Sequence, residues 1–341
     1  MKRPFALVLL FFILFTRSAL AQENLPSWND GPVKRSIIAF VDKVTNPGGP
    51  DFVKSEDRVA VFDSDGTLWT EWPLYSPVLF AVDRARALAP KHPEWRRSRL
   101  FNAALKRDLP ALAKGGEPGM LTLVGESYSG DTPEAFKALA GEWVAHAQHP
   151  YFKQTYDRLV YQPMLELLDY LRANGFRTYI VSGAETEFMR AFSERVYGIP
   201  PEQVIGSHIR TSFLMSNGKP ILLRRAKLDY HDVKSKKPET ISQVIGRRPI
   251  LAFGNSDGDV EMLEWTTAGE GPRLGLLVHH DDAEREASYD RKSLIGKLDR
   301  GLDEAPKQGW SIVSMKNDWR RIFKTDKSQS ATTDMQGAGN R

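Results

Sequence analysis

The stretch Val59-Ala60-Val61-Phe62-Asp63-Ser64-Asp65-Gly66-Thr67-Leu68-Trp69 decides the fold class. Four apolar residues read as a short buried strand, two carboxylates follow, and a glycine turns the chain. In α/β sheets, ligands bind beyond the carboxyl ends of the strands, so this order aims Asp63 and Asp65 at the place where chemistry happens. If the strand period of two persists past Phe62, both carboxylates point the same way. So placed, they can share a cation or divide nucleophilic and proton-transfer work.

Outward from this stretch, strand and helix patterns alternate. Phe176 to Val181, Pro249 to Phe253 and Leu274 to Val278 read as buried strands, with Ser311 to Val313 as a shorter one. Gln162 to Ala173 carries Leu165, Leu168 and Leu171 on one helical stripe and stops at Asn174-Gly175. Glu185 to Val196 reads as a second helix, and Ile209 to Leu214 and Pro220 to Leu223 flank a hairpin turn at Ser216-Asn217-Gly218-Lys219. The alternation predicts an α/β, Rossmann-like fold, with a mostly parallel sheet covered by helices on both faces.

Between Trp69 and Gln162 no convincing buried strand occurs. Val78-Leu79-Ala81-Val82-Ala85-Leu88 and Phe136-Leu139-Ala140-Trp143-Val144 recur at helical spacing, punctuated by Pro118-Gly119 and Ser129-Gly130-Asp131. Residues 70–160 are therefore expected as a helical insertion in a core made of 58–69 and 161–325. Residues 22–57 form an N-terminal extension with one helix from Pro32 to Lys43. The Ser/Thr/Gly/Gln-rich stretch 326–341 is expected to be a disordered tail.

Residues 1–21 have the pattern of a cleavable secretory signal. Lys2 and Arg3 precede an apolar run from Phe5 to Phe15, and Ala19-Leu20-Ala21 supplies a small-residue cleavage site before Gln22. The run is shorter than the roughly 20 residues needed to span a bilayer, so no membrane anchor is expected after cleavage, and the location is periplasmic or secreted. The chain has no cysteine, which excludes disulfides, thiol chemistry and a Cys-based zinc site. Its 47 basic and 43 acidic residues leave a net charge of +4. That is too small a surplus, without any accompanying nucleic-acid motif, to expect nucleic-acid binding, though it suits anionic substrates.

Two further strand ends carry polar, small residues. Ile180-Val181 runs into Ser182-Gly183-Ala184, where a hydroxyl and exposed amides at the start of a helix can cradle phosphate. Ala252-Phe253 runs into Gly254-Asn255-Ser256-Asp257-Gly258-Asp259, whose oxygen ligands suit a hard cation such as Mg²⁺. Phosphate beside several carboxylates also requires a basic group, and Lys234, Lys236 and Lys237 precede the helix that leads into the Gly254 strand. His279-His280-Asp281-Asp282 closes another strand near the same rim, where a structural role is the ordinary one.

With these residues the chain resembles the haloacid-dehalogenase-like hydrolase superfamily, in the branch similar to phosphoserine phosphatase. Val59 to Thr67 matches the hhhhDxDGT motif, Ile180 to Gly183 the strand ending in Ser/Thr-Gly, Lys237 the lysine before a helix, and Gly254-Asn255 with Asp259 the G(D/N)xxxD motif. The resemblance implies a C1-type helical cap between the first two motifs. It also implies Mg²⁺-dependent hydrolysis of a small phosphorylated metabolite, a phosphomonoester, through an aspartyl-phosphate on Asp63. Asp65 is then the general acid and base, while Ser182, the Gly183 amide and Lys237 hold the phosphoryl oxygens. The implied metal ligands are Asp63, the Asp65 main-chain carbonyl, Asn255 and Asp259. Glu71 and Asp257 are further candidates, Glu71 toward a substrate amine. Asn255 departs from the usual aspartate, which removes one charge from the metal site. A phosphotransferase using the same intermediate, or a binding module without catalysis, are the competing readings.

Overall fold

The computed structural model describes residues 24–324. The expected signal peptide and the expected disordered tail lie outside the described residues. Strand β1 (Val59–Phe62) is followed by β2 (Arg177–Glu185), β3 (Val204–Ser216), β4 (Lys219–Tyr230), β5 (Leu251–Gly254), β6 (Leu274–Asp281), β7 (Ser288–Tyr289) and β8 (Ser311–Ser314). They form one sheet in the order β4-β3-β2-β1-β5-β6-β7, with β8 pairing β6 off that path. Pairs among β3, β2, β1, β5, β6 and β8 are parallel; only β3–β4 and β6–β7 are antiparallel. The predicted mixed α/β architecture, with helices flanking a central sheet, is what forms.

Strand β1 is apolar throughout because both of its faces are covered. Ala60 and Phe62 enter the core beneath the helices Pro32–Thr45 and Gln162–Ala173. Val59 and Val61 face the opposite core, with Ile241, Val260, Leu263 and Ala305. From β1 the chain crosses to β2 on one side and later returns to β5 on the other. The carboxyl end of β1 is therefore the topological switch point, where a crevice opens.

Three elements depart from the expectation. Strand β2 continues past Val181 to Glu185, and the following helix begins at Thr186, not at Ala184 or Glu185. Its pairing with β3 slips between Ser182 and Glu185, a bulge that hydrophobic periodicity does not encode. The single helix predicted for 185–196 is two short ones, Thr186–Arg190 and Ser193–Tyr197. The β3–β4 hairpin is far longer than the two short runs suggested. It turns at Asn217 (φ 49°) and Gly218 (φ 74°), the paired positive φ values of a tight two-residue turn.

Between β1 and β2 lie the helices Ser76–Leu88, Arg99–Lys106, Leu109–Lys114, Gly116–Ser127 and Pro133–His146. Phe80 packs against Tyr128, Phe136 and Trp143, and also against Phe188 of the core, with ring centroids 5.3–5.8 Å apart. Arg224 of β4 is buried in the same junction. Its guanidinium lies 3.9 Å from the Phe136 ring centroid, donates to the Tyr128 carbonyl at 2.9 Å and faces Glu185 at 3.1 Å. Residues 24–57 are packed into the body as well. Trp28 is fully buried, meets Trp319 edge-on at 6.0 Å and donates Nε1 to the Pro163 carbonyl at 2.9 Å.

Candidate active site

The loop after β1 is held from three directions. Asp63 N donates to the Phe253 carbonyl at 2.9 Å, which continues the β1–β5 ladder by one step. Gly66 (φ +76°) then reverses the chain, and its amide reaches the Trp69 carbonyl at 2.8 Å. A Cβ at residue 66 would stand 2.1 Å from Asn255 Nδ2 and 2.5 Å from Glu71 Oε1, so both the backbone angle and the space demand glycine. Trp69 Nε1 donates to Asp65 Oδ1 at 2.9 Å and so fixes that carboxyl group.

Lys237, in the first turn of the helix Lys236–Ile245, is the lysine that reaches the site. Its buried ammonium donates to Asp63 Oδ1 at 2.6 Å, to Asp259 Oδ1 at 2.6 Å and to the Val181 carbonyl at 2.9 Å. Lys236 instead pairs with Glu239 on the surface, and Lys234 stands exposed at the mouth of the cavity. One nitrogen thus joins β2 to the loops that follow β1 and β5.

Asp259 folds its own loop. Its Oδ2 accepts the amides of Asn255 and Ser256, each at 3.0 Å, and its side chain fills the space a Cβ on Gly254 would need. Asp259 is thus both the partner of Lys237 and the clamp of its loop. Asn255 Oδ1 accepts from the Thr67 hydroxyl at 3.0 Å, and its Nδ2 donates to Glu71 Oε1 at 2.7 Å. Glu71 also accepts from Tyr289 OH at 2.8 Å. Asp257 lines the cavity too, and its Oδ1 accepts the amides of Asp299 and Gly301, anchoring the start of the helix Arg300–Gln308. Ser182, whose Oγ accepts the Ala184 amide at 3.2 Å, and Gly183 line the same cavity, which has a volume of about 470 Å³.

The acids crowd one another. Asp63, Asp65, Glu71 and Asp259 are all buried, and Lys237 is the cation among them. Burial, and then the Asp259 charge, push Asp63 up to about 6 even with Lys237 opposing them. Burial and the Asp63 charge push Asp65 up to about 8. Burial, then Asp65, hold Glu71 well above the carboxylate range. Such a surplus of buried negative charge, with the Asp65 carbonyl and the Asn255 amide beside it, fits a small divalent cation with oxygen ligands. Among the described residues no three His, Cys, Asp or Glu side chains gather as a ready-made metal site. The donors gathered here are the Asp63 carboxylate, the Asp65 main-chain carbonyl and the Asn255 amide, with the Asp259 carboxylate beside them.

Residues from late in the chain complete the site, and sequence motifs do not reveal them. His280 Nε2 lies 2.9 Å from the Gly66 carbonyl, and its Nδ1 lies 3.3 Å from Glu286. Glu286 in turn accepts from Thr70 at 2.6 Å and Tyr161 at 3.2 Å, all buried. The only sequence signal is the histidine pair at a strand end. His279 faces Asp290, while His280 braces the turn that carries the two aspartates.

Carboxylates and an ammonium converging at the switch point of a mostly parallel sheet make a site suited to handling an anionic group. The chain matches the haloacid dehalogenase-like hydrolase family over residues 60–264 and belongs to it. Membership carries the family's general chemistry, Mg²⁺-dependent hydrolysis with an aspartate nucleophile. Among solved structures, a conserved functionally unknown protein from Anaerococcus prevotii DSM 20548 is 16% identical with a TM-score of 0.52, over 83% of this chain and 91% of that one. A protein with unknown function from Bordetella pertussis Tohama I is 16% identical (TM-score 0.48, 75% and 97% covered). A phosphoserine phosphohydrolase-like protein from Francisella tularensis subsp. tularensis SCHU S4 is 17% identical (TM-score 0.38, 73% and 98% covered). At such identity the first shows a shared fold. No curated protein matches the chain.

Proposed function

We propose that the protein is an exported phosphatase of the phosphoserine-phosphatase-like branch, hydrolysing a small phosphomonoester through an aspartyl-phosphate on Asp63. The observation that carries this reading is Lys237 Nζ held at 2.6 Å from both Asp63 and Asp259; burial and the Asp63 charge push the neighbouring Asp65 up to about 8, which suits a proton donor. Asp63 attacks phosphorus as the ester P–O bond breaks, and Asp65 gives its proton to the leaving alkoxide. Asp65, now ionised, takes a proton from water. That water attacks phosphorus, the bond to Asp63 breaks, and inorganic phosphate leaves with both aspartates restored.

Lys237, the Ser182 hydroxyl and the Gly183 amide hold the phosphoryl oxygens. Asp63, the Asp65 carbonyl, Asn255 and Asp259 would hold Mg²⁺, which when bound supplies positive charge against the repulsion between nucleophile and substrate. The inserted helices from Ser76–Leu88 to Pro133–His146 act as the cap over this cavity.

Purified protein assayed with Mg²⁺ should release phosphate from a phosphomonoester panel. Asp63→Asn should lower the rate by a factor on the order of 10⁴ or more while keeping the circular dichroism of the parent. If no ester is cleaved, the catalytic reading fails and a binding module remains. Appearance of an alkyl phosphate instead of inorganic phosphate, when a second alcohol is added, would assign a phosphotransferase. Export is tested by N-terminal sequencing of the protein recovered from the host, which should begin at Gln22; an intact Met1 would end that part of the proposal.

A further inference from the structure

Above the phosphate-handling floor, one wall of the cavity is apolar. The helix Gly116–Ser127 contributes Met120, Leu121 and Val124, the helix Ser76–Leu88 contributes Val78, β4 contributes Leu228, and Leu294 stands at the mouth. Leu294 is 69% exposed, among the most exposed large hydrophobic side chains of the described residues. Several polar side chains around this wall already have partners. Glu117 pairs with His231 at 3.1 Å, Lys297 with Asp299 at 3.3 Å, and Ser207 joins the Gly183 carbonyl at 2.7 Å to the Asp232 amide at 3.0 Å.

An amino-acid leaving group would need a fixed partner for its carboxylate and another for its ammonium. Among the described residues no arginine lines the cavity, since Arg224 is turned toward Glu185 and Tyr128. Glu71 lies at the phosphate end, shared between Asn255 and Tyr289 and pressed against Gly296, where a Cβ would stand 1.8 Å from its Oε1. Lys234, exposed at the mouth, attracts any phosphate dianion without choosing among leaving groups.

We propose that the ester cleaved at this site carries an apolar alcohol, alkyl or aryl, seated against the wall formed by Met120, Leu121, Val124 and Leu228, and not an amino acid. The inference rests on the phosphatase reading for its reaction but not for its binding. Its test therefore uses ligands that cannot react.

Affinities of the purified protein for methyl-, ethyl-, propyl- and butylphosphonate, measured calorimetrically with Mg²⁺, should rise about fourfold per methylene, as buried methylenes do. Butylphosphonate should also bind more tightly than 2-amino-4-phosphonobutyrate, the phosphonate counterpart of phosphoserine. Benzylphosphonate against butylphosphonate separates an aryl from an alkyl alcohol. Leu121→Asn and Leu228→Asn should flatten the chain-length series, a ratio read within one protein and so insensitive to the amount folded. A flat series in the parent, or preference for the amino-acid phosphonate, overturns the proposal even where phosphate release from esters is observed. A steep series without phosphate release from any ester would leave the apolar seat standing and end the phosphatase reading.

Discussion

Lys237 ties β2 to the loops after β1 and β5 through one side chain, and its choice over Lys234 and Lys236 is a matter of one to three positions. All three precede or open one helix, so composition treats them alike. Only the start of that helix beneath β2 turns the third ammonium inward, where Val181, Asp63 and Asp259 receive it. Asp65 differs from Asp63 in the same way. Both follow one strand, yet Asp65 accepts from Trp69 and not from an ammonium, and burial and the Asp63 charge push it up to about 8 against that hydrogen bond. A general acid in that state matters most for poor leaving groups. Asp65→Asn should therefore slow an alkyl phosphate by about 10²–10⁴ and p-nitrophenyl phosphate far less, because nitrophenolate leaves without a proton. Equal losses for the two esters, measured as kcat/KM, would remove Asp65 from the acid role.

At the scale of elements, the junction between the inserted helices and the sheet depends on the β3–β4 hairpin, whose length periodicity underestimates. Its strands alternate polar and apolar residues irregularly because one end belongs to the central sheet and the other stands in solvent. Arg224 is the consequence: a fully buried guanidinium between Phe136, Tyr128 and Glu185. Glu185 also caps the helix Thr186–Arg190 by accepting the Phe188 amide at 2.9 Å. Breaking one side of a buried pair strands the other charge, which costs about 3–5 kcal/mol. Arg224→Met should lower unfolding stability in urea by that amount, and adding Glu185→Gln should restore part of it. A loss near zero for the single variant would mean that water reaches this pair.

For the whole molecule, the crowded acids make stability depend on pH and on Mg²⁺. Asp63 and Asp65 titrate near 3.8 in the unfolded chain but are raised to about 6 and about 8 in the fold. Above pH 4 the folded protein thus keeps protons that the unfolded chain has released. Stability contributed by Asp63 falls as pH rises to about 6, and that from Asp65 as pH rises to about 8. Metal-free protein should lose a few degrees of Tm between pH 5 and pH 8, and Mg²⁺ should restore more at pH 8 than at pH 5. An equal Mg²⁺ effect at both pH values, read by calorimetry, would separate the cation from these carboxylates. What the sequence by itself determined is what is local: a buried strand stopping at two acids, a glycine turn, a second acidic glycine-rich loop, and the helical spacing between them. Each of these depends on residues within a few positions of one another, where strand and helix periods and backbone freedom act. What only the tertiary structure decided is which distant groups meet: Trp28 under Trp319, His280 against Gly66, Tyr289 and Asn255 on Glu71, and Arg224 inside the junction. Those contacts join segments that no local pattern links, and the same burial that brings them together raises the carboxyl groups far from their values in water.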